Sequence, residues 1–213
     1  MPPITSGNED TQSFEQAQST LLNHYGTEAI SRSVQLDEPS LECHLLEVGQ
    51  GEPVIILHGG GGMAVQMAPL LGGLSNQFNI IAPDGPGCGL TDSFDYTGVN
   101  FRQHGVDFLS SLWKALDIDQ ASIIASSIAG VWTIGFALAH PNRVADIAFV
   151  GAPAGLTPKI PLPCDSLGHP SSGTSCSRLP YDIPRRTIDD SSRVTSSIGT
   201  RFRLNLSKRC MHR

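Results

Sequence analysis

Two short apolar runs constrain this chain more than any other feature, because each ends in a turn of very small residues and each is followed by a helical pattern. The first is residues 53–57 (Pro-Val-Ile-Ile-Leu), which leads into His58, Gly59, Gly60, Gly61 and Gly62. The second is residues 121–124 (Ala-Ser-Ile-Ile), which leads into Ala125, Ser126, Ser127, Ile128, Ala129 and Gly130. An apolar run of this length bounded by turn residues reads as a strand buried on both faces. Such strands alternating with helices predict a mostly parallel sheet covered on both sides by helices, an α/β fold. Strands are expected near residues 41–49, 53–58, 78–83, 121–125 and 145–150, and helices near 63–74, 101–116 and 127–139. Ahead of them, Phe14, Ala17, Leu21 and Leu22 recur at helical spacing within residues 13–25, a short amphipathic helix in an otherwise polar opening of about 30 residues.

The two turns carry complementary chemistry. A serine at the tip of a strand-to-helix turn sits in a strained backbone, and the residues two before and two after it must be small. Ala125 and Ala129 meet that condition around Ser127, whereas Ile124 and Ile128 would flank Ser126. Ser127 is therefore the candidate nucleophile. The helix after it would point its free N–H groups and positive dipole end at the serine. The N–H groups of Ile128 and Gly60 are the expected pair of donors to an oxyanion.

With these residues in view, the chain resembles the α/β-hydrolase family over roughly residues 30–157. Residues 51–60 (Gly-Glu-Pro-Val-Ile-Ile-Leu-His-Gly-Gly) are similar to the strand that enters the family's oxyanion loop. Residues 80–92, with Asp84, Gly87, Gly89, Thr91 and Asp92, are similar to the loop after its next strand. Residues 140–151 are similar to the strand after its nucleophile helix. The resemblance implies a serine hydrolase acting on an ester or similar acyl substrate, with the carbon–carbon bond hydrolases left open. A serine at the elbow, rather than an aspartate, disfavours the dehalogenase and epoxide-hydrolase branches. For His58 it implies a structural part around the oxyanion loop. Asp84 and Asp92 read as turn residues that accept from nearby backbone N–H groups.

Past residue 158 the chain changes character. Residues 1–158 carry 16 acidic and 4 basic side chains, whereas residues 159–213 carry 4 acidic and 10 basic ones and no glutamate. Leu, Ile, Val and Phe make up about a fifth of this segment, the level at which packing a core becomes doubtful. It shows neither a period of 2 nor one of 3.6. The reading is thus an N-terminal helical segment at 1–30, an incomplete α/β-hydrolase core at 31–158, and an irregular, disordered, unrelated tail at 159–213. A shifted reading frame or a mis-joined coding segment would produce such a switch.

A nucleophilic serine needs a base, and the family's late acid and histidine are not identifiable here. His169 and His212 are candidates for the base, and Asp190 for the acid, none with a flanking strand pattern. The expectation is a truncated, catalytically impaired hydrolase without metal or cofactor. The alternative is a non-catalytic protein of the same fold whose basic tail binds an acidic partner. Nucleic acid is disfavoured because the basic residues are dispersed, with few aromatics to stack on bases. Five cysteines without compact spacing argue against a disulfide framework. No opening signal-peptide pattern and no run of about 18 apolar residues is found, so a cytoplasmic protein is expected, without membrane contact. Residues 145–150 would form an unprotected sheet edge and favour self-association.

Overall fold

The computed structural model describes residues 6–151. These hold four helices and six strands. In chain order they are α1 (Ser6–His24), β1 (Ile30–Asp37), β2 (Ser40–Val48), β3 (Pro53–Leu57), α2 (Ala68–Leu74), β4 (Asn79–Pro83), α3 (Phe101–Ala115), β5 (Ala121–Ser126), α4 (Ala129–Ala139) and β6 (Val144–Val150). A 3₁₀ turn at Ala64–Met67 precedes α2, and another at Pro141–Arg143 precedes β6.

The strands form one sheet in the order β1-β2-β4-β3-β5-β6. Pairings among β4, β3, β5 and β6 are parallel, while β1 with β2 and β2 with β4 are antiparallel. The sheet is mostly parallel, as expected, with an antiparallel hairpin at one side. Strand β1 was not anticipated from the sequence. Its Leu36 is buried and Val34 half-buried, whereas Ile30 is 65% exposed. Most of this strand faces solvent, so too little apolar alternation was present to mark it.

Strand β3 shows how the core divides. Val54 and Ile56 face one side, where they join Leu22 of α1, Leu71 of α2, Leu46, Ile80 and Ala82. Ile55 and Leu57 face the other, with Phe108, Leu112 and Trp113 of α3, Trp132 and Phe136 of α4, Ile81 and Ile123. A strand buried on both faces must be apolar at every position, which is why 53–57 reads as a continuous run. Helix α3 starts where the Asn100 side chain accepts the Gln103 N–H at 3.2 Å, an N-cap contact. Helix α4 is buried from Ala129 to Ala137, so its sequence is apolar all round. Where α3 and α4 approach, Gly105 leaves room for Trp132, since a Cβ there would lie 2.1 Å from the indole Cγ.

From β3 the chain passes to β4 on one side, then crosses to β5 on the other. The loops leaving the carboxyl ends of β3 and β5 diverge at such a switch point, the usual place for a crevice in α/β sheets.

Candidate active site

Ser127 stands between β5 and α4 with φ at +51°, and it is exposed. A non-glycine residue in the left-handed region stores strain, and here the flanking groups hold it. Its N–H donates to the Val150 carbonyl at 3.2 Å, and its carbonyl accepts the Gly130 N–H at 3.2 Å. Ala125 and Ala129 are buried in the same apolar cluster, leaving little room for larger side chains on either side of the turn.

The glycine loop lies against this elbow. A Cβ on Gly59 would meet Ser127 Cβ at 3.1 Å, and one on Gly60 would meet Ile128 Cγ2 at 3.3 Å. Gly61 has φ at +67°, and the Gly62 N–H closes the turn onto the Gly59 carbonyl at 3.1 Å. Among the described residues no acceptor takes the N–H of Gly60 or Ile128.

His58 occupies both ring nitrogens within the loops. The Gly85 N–H donates to Nε2 at 2.8 Å, so Nε2 is the acceptor and Nδ1 carries the hydrogen that goes to the Gly59 carbonyl at 2.7 Å. Neither nitrogen is left for a serine proton.

Asp84 does more than cap a turn. Its Oδ1 accepts the Ala64 N–H at 2.6 Å and its Oδ2 the Leu90 N–H at 3.1 Å, which ties the end of the glycine loop and the middle of the loop after β4 to one carboxylate. It also bonds His44 Nδ1 at 2.8 Å, and both side chains are buried. Burial alone would raise its pKa, but the donors from His44, Ala64 and Leu90 outweigh it and hold the carboxyl below its ordinary range. Asp92, by contrast, accepts the Glu42 N–H at 2.8 Å, linking this loop to β2. His44 escaped the sequence reading. Its only signal was a histidine among apolar residues of β2, a pattern shared by many packed histidines.

The surroundings of the cysteines near this hub disfavour their thiolates. Burial pushes the Cys43 thiol up to about 12 against an opposing Thr91 hydrogen bond. Cys88 is half-buried, and burial together with the Asp84 charge raises it also. A thiol must ionise to attack, and both environments oppose that. Among the described residues no cluster of three or more metal-binding side chains occurs.

No histidine of the described residues bonds to Ser127. His140 meets Ser110 Oγ at 3.1 Å, and His104 stacks on Phe94. His169, His212 and Asp190 lie outside the described residues, as does all of the 159–213 region.

Comparison with known proteins supports the same frame. A family model described as alpha/beta hydrolase fold matches residues 52–169. The 2-hydroxy-6-oxo-6-phenylhexa-2,4-dienoate hydrolase of Burkholderia cepacia is 31% identical over 156 residues, covering 64% of this chain and 50% of that protein. A cis-3-alkyl-4-alkyloxetan-2-one decarboxylase of Shewanella oneidensis is 28% identical over 57% of this chain and 39% of its own length. Among solved structures, carboxylesterase CesB of Bacillus subtilis superposes with a TM-score of 0.64 at 19% identity, covering 86% of this chain and 66% of that one. That likeness shows a shared fold. The chain spans about half the length of the curated relatives it matches.

Proposed function

The chain belongs to the α/β-hydrolase family, and from that membership we propose that it carries the nucleophile half of a serine hydrolase site, with Ser127 as the attacking residue. The observation that supports this most is the exposed serine at φ +51° with Gly59 and Gly60 packed against Ser127 and Ile128. Such a turn costs about 1–3 kcal/mol, and a serine-presenting elbow gives that strain a purpose.

In this reading Ser127 Oγ bonds to the substrate's carbonyl carbon while its proton passes to a base. The carbonyl oxygen becomes an oxyanion held by the N–H groups of Gly60 and Ile128, each contributing about 3 kcal/mol. The base and its orienting acid are sought in His169 or His212 with Asp190. The names of the curated relatives point to dienoate substrates, and the oxyanion geometry suits an ester or similar acyl group as well. We take the substrate to be a small acyl compound of one of these kinds.

No helix among the described residues is long and apolar enough to cross a membrane. Cys43 and Cys88 are free thiols, which agrees with the reducing cytoplasm that we assign.

Turnover of p-nitrophenyl acetate and of 2-hydroxy-6-oxo-6-phenylhexa-2,4-dienoate by the full chain tests the reading. Weak turnover that falls to background in Ser127→Ala is expected. Turnover that survives Ser127→Ala unchanged overturns it.

A further inference from the structure

A Ser–His–Asp chain does exist among the described residues, but it lies away from Ser127. On the α1-facing side of the β1–β2 hairpin, Ser31 Oγ is 2.8 Å from His44 Nε2, and His44 Nδ1 is 2.8 Å from Asp84 Oδ2. Ser31 is exposed, whereas His44 and Asp84 are buried. We propose that Ser31 is a second nucleophilic serine, an acceptor for small activated acyl groups, with His44 as its base and Asp84 as the group that orients the base.

The hydrogen-bond directions carry the argument. The Asp84 carboxylate already takes backbone N–H groups from Ala64 and Leu90, so it acts as an acceptor toward His44 as well. Nδ1 therefore carries a hydrogen, and Nε2 of the neutral ring presents its lone pair to Ser31. Gln18 Nε2 donates to Ser31 Oγ at 3.4 Å, which leaves the serine's own hydrogen to His44. The backbone fixes the ring further, since the His44 N–H donates to Thr91 Oγ1 at 2.9 Å. Nucleophile, base and orienting acid thus stand in the sequence of contacts that activates a serine hydroxyl.

With an activated ester, Ser31 Oγ bonds to the acyl carbon, and the bond from that carbon to the leaving group breaks. The Oγ proton moves to His44 Nε2, where the adjacent Asp84 carboxylate stabilises the imidazolium, and is then lost to water. The leaving group departs as its own anion. Gly60 and Ile128 belong to the Ser127 elbow, so the expected product at Ser31 is a persistent acyl-serine, formed without steady turnover.

The full chain is incubated with p-nitrophenyl acetate, and acetylated peptides are quantified against time. Ser33, exposed on the same strand and face, is the internal control. General-base assistance predicts that Ser31 is acetylated roughly 100-fold faster than Ser33. The adduct should persist in Ser127→Ala and vanish in Ser31→Ala, and His44→Gln should lower the Ser31 rate to that of Ser33. Equal rates at Ser31 and Ser33 in the unsubstituted chain overturn the proposal, and that comparison needs no variant to fold. Acetylation confined to Ser127 overturns it too, while leaving the Ser127 reading intact.

Discussion

At Ser127 a side chain other than glycine occupies φ +51°, and the strain it stores can be measured. Glycine would release that strain but costs more chain entropy, so the two effects partly cancel. Ser127→Gly is expected to be more stable than Ser127→Ala by about 0.5–1 kcal/mol in urea unfolding, whatever happens to activity. Asp84 gives a second prediction. Asp84→Asn leaves His44 and two backbone donors facing an amide in place of a carboxylate, and each buried hydrogen bond to a charged group is worth about 1.5–3 kcal/mol. Its pH dependence has a definite sign. The unfolded chain protonates Asp84 near pH 3.9, the folded protein only at lower pH. The carboxylate's contribution is therefore complete above about pH 4 and is lost as pH falls through the folded value. His104 adds to acid sensitivity from higher pH. Burial holds it below its ordinary value against the opposing charge of Asp107. Stability linked to His104 should decline as pH falls from about 6.5, where the unfolded histidine takes up its proton. Acid titration followed by tryptophan fluorescence checks both, and Asp84→Asn should abolish the lower step.

Between elements, the tightest constraint is the contact of α3 with α4. A Cβ on Gly105 would fall 2.1 Å from Trp132 Cγ, and one on Gly135 would lie 3.1 Å from Val106 Cγ2. Trp132 also packs against Phe101 and Phe108, at ring distances of 5.2 and 5.5 Å, so it has little freedom to withdraw. Gly105→Ala gains about 1 kcal/mol of helix propensity but overpacks the contact by about 3 kcal/mol. A net loss of about 2 kcal/mol in urea unfolding is expected. Elements of this kind were legible beforehand. Residues 53–57, 80–83 and 123–125 are apolar throughout because both faces of their strands are covered, and α4 is apolar nearly all round for the same reason. Strand β1 was not legible because one buried residue, Leu36, makes no pattern. The elbow could be read because its small residues are local in sequence. The His44–Asp84 contact could not, because it joins positions 40 residues apart.

For the molecule as a whole, the described sheet ends at β6 on one side, where Val150 is 46% exposed, and at β1 on the other. We propose that self-association runs through the β6 edge, since unpaired strand groups beside apolar side chains template other chains. Analytical ultracentrifugation should find oligomers that Val150→Lys reduces, and a monodisperse monomer before substitution would contradict this. The charge switch past residue 158 was plain in the sequence, but it falls outside the described residues, so the proposed base and acid rest on composition and spacing alone. The central claim concerns Ser127, Gly60 and Ile128. A crystal structure of the full chain with a phenylboronic acid tests it most directly. We predict boron bonded to Ser127 Oγ, with one boronate oxygen about 3 Å from the backbone nitrogens of both Gly60 and Ile128. Boron bound elsewhere, or an oxygen at Ser127 turned away from those two nitrogens, would contradict the account.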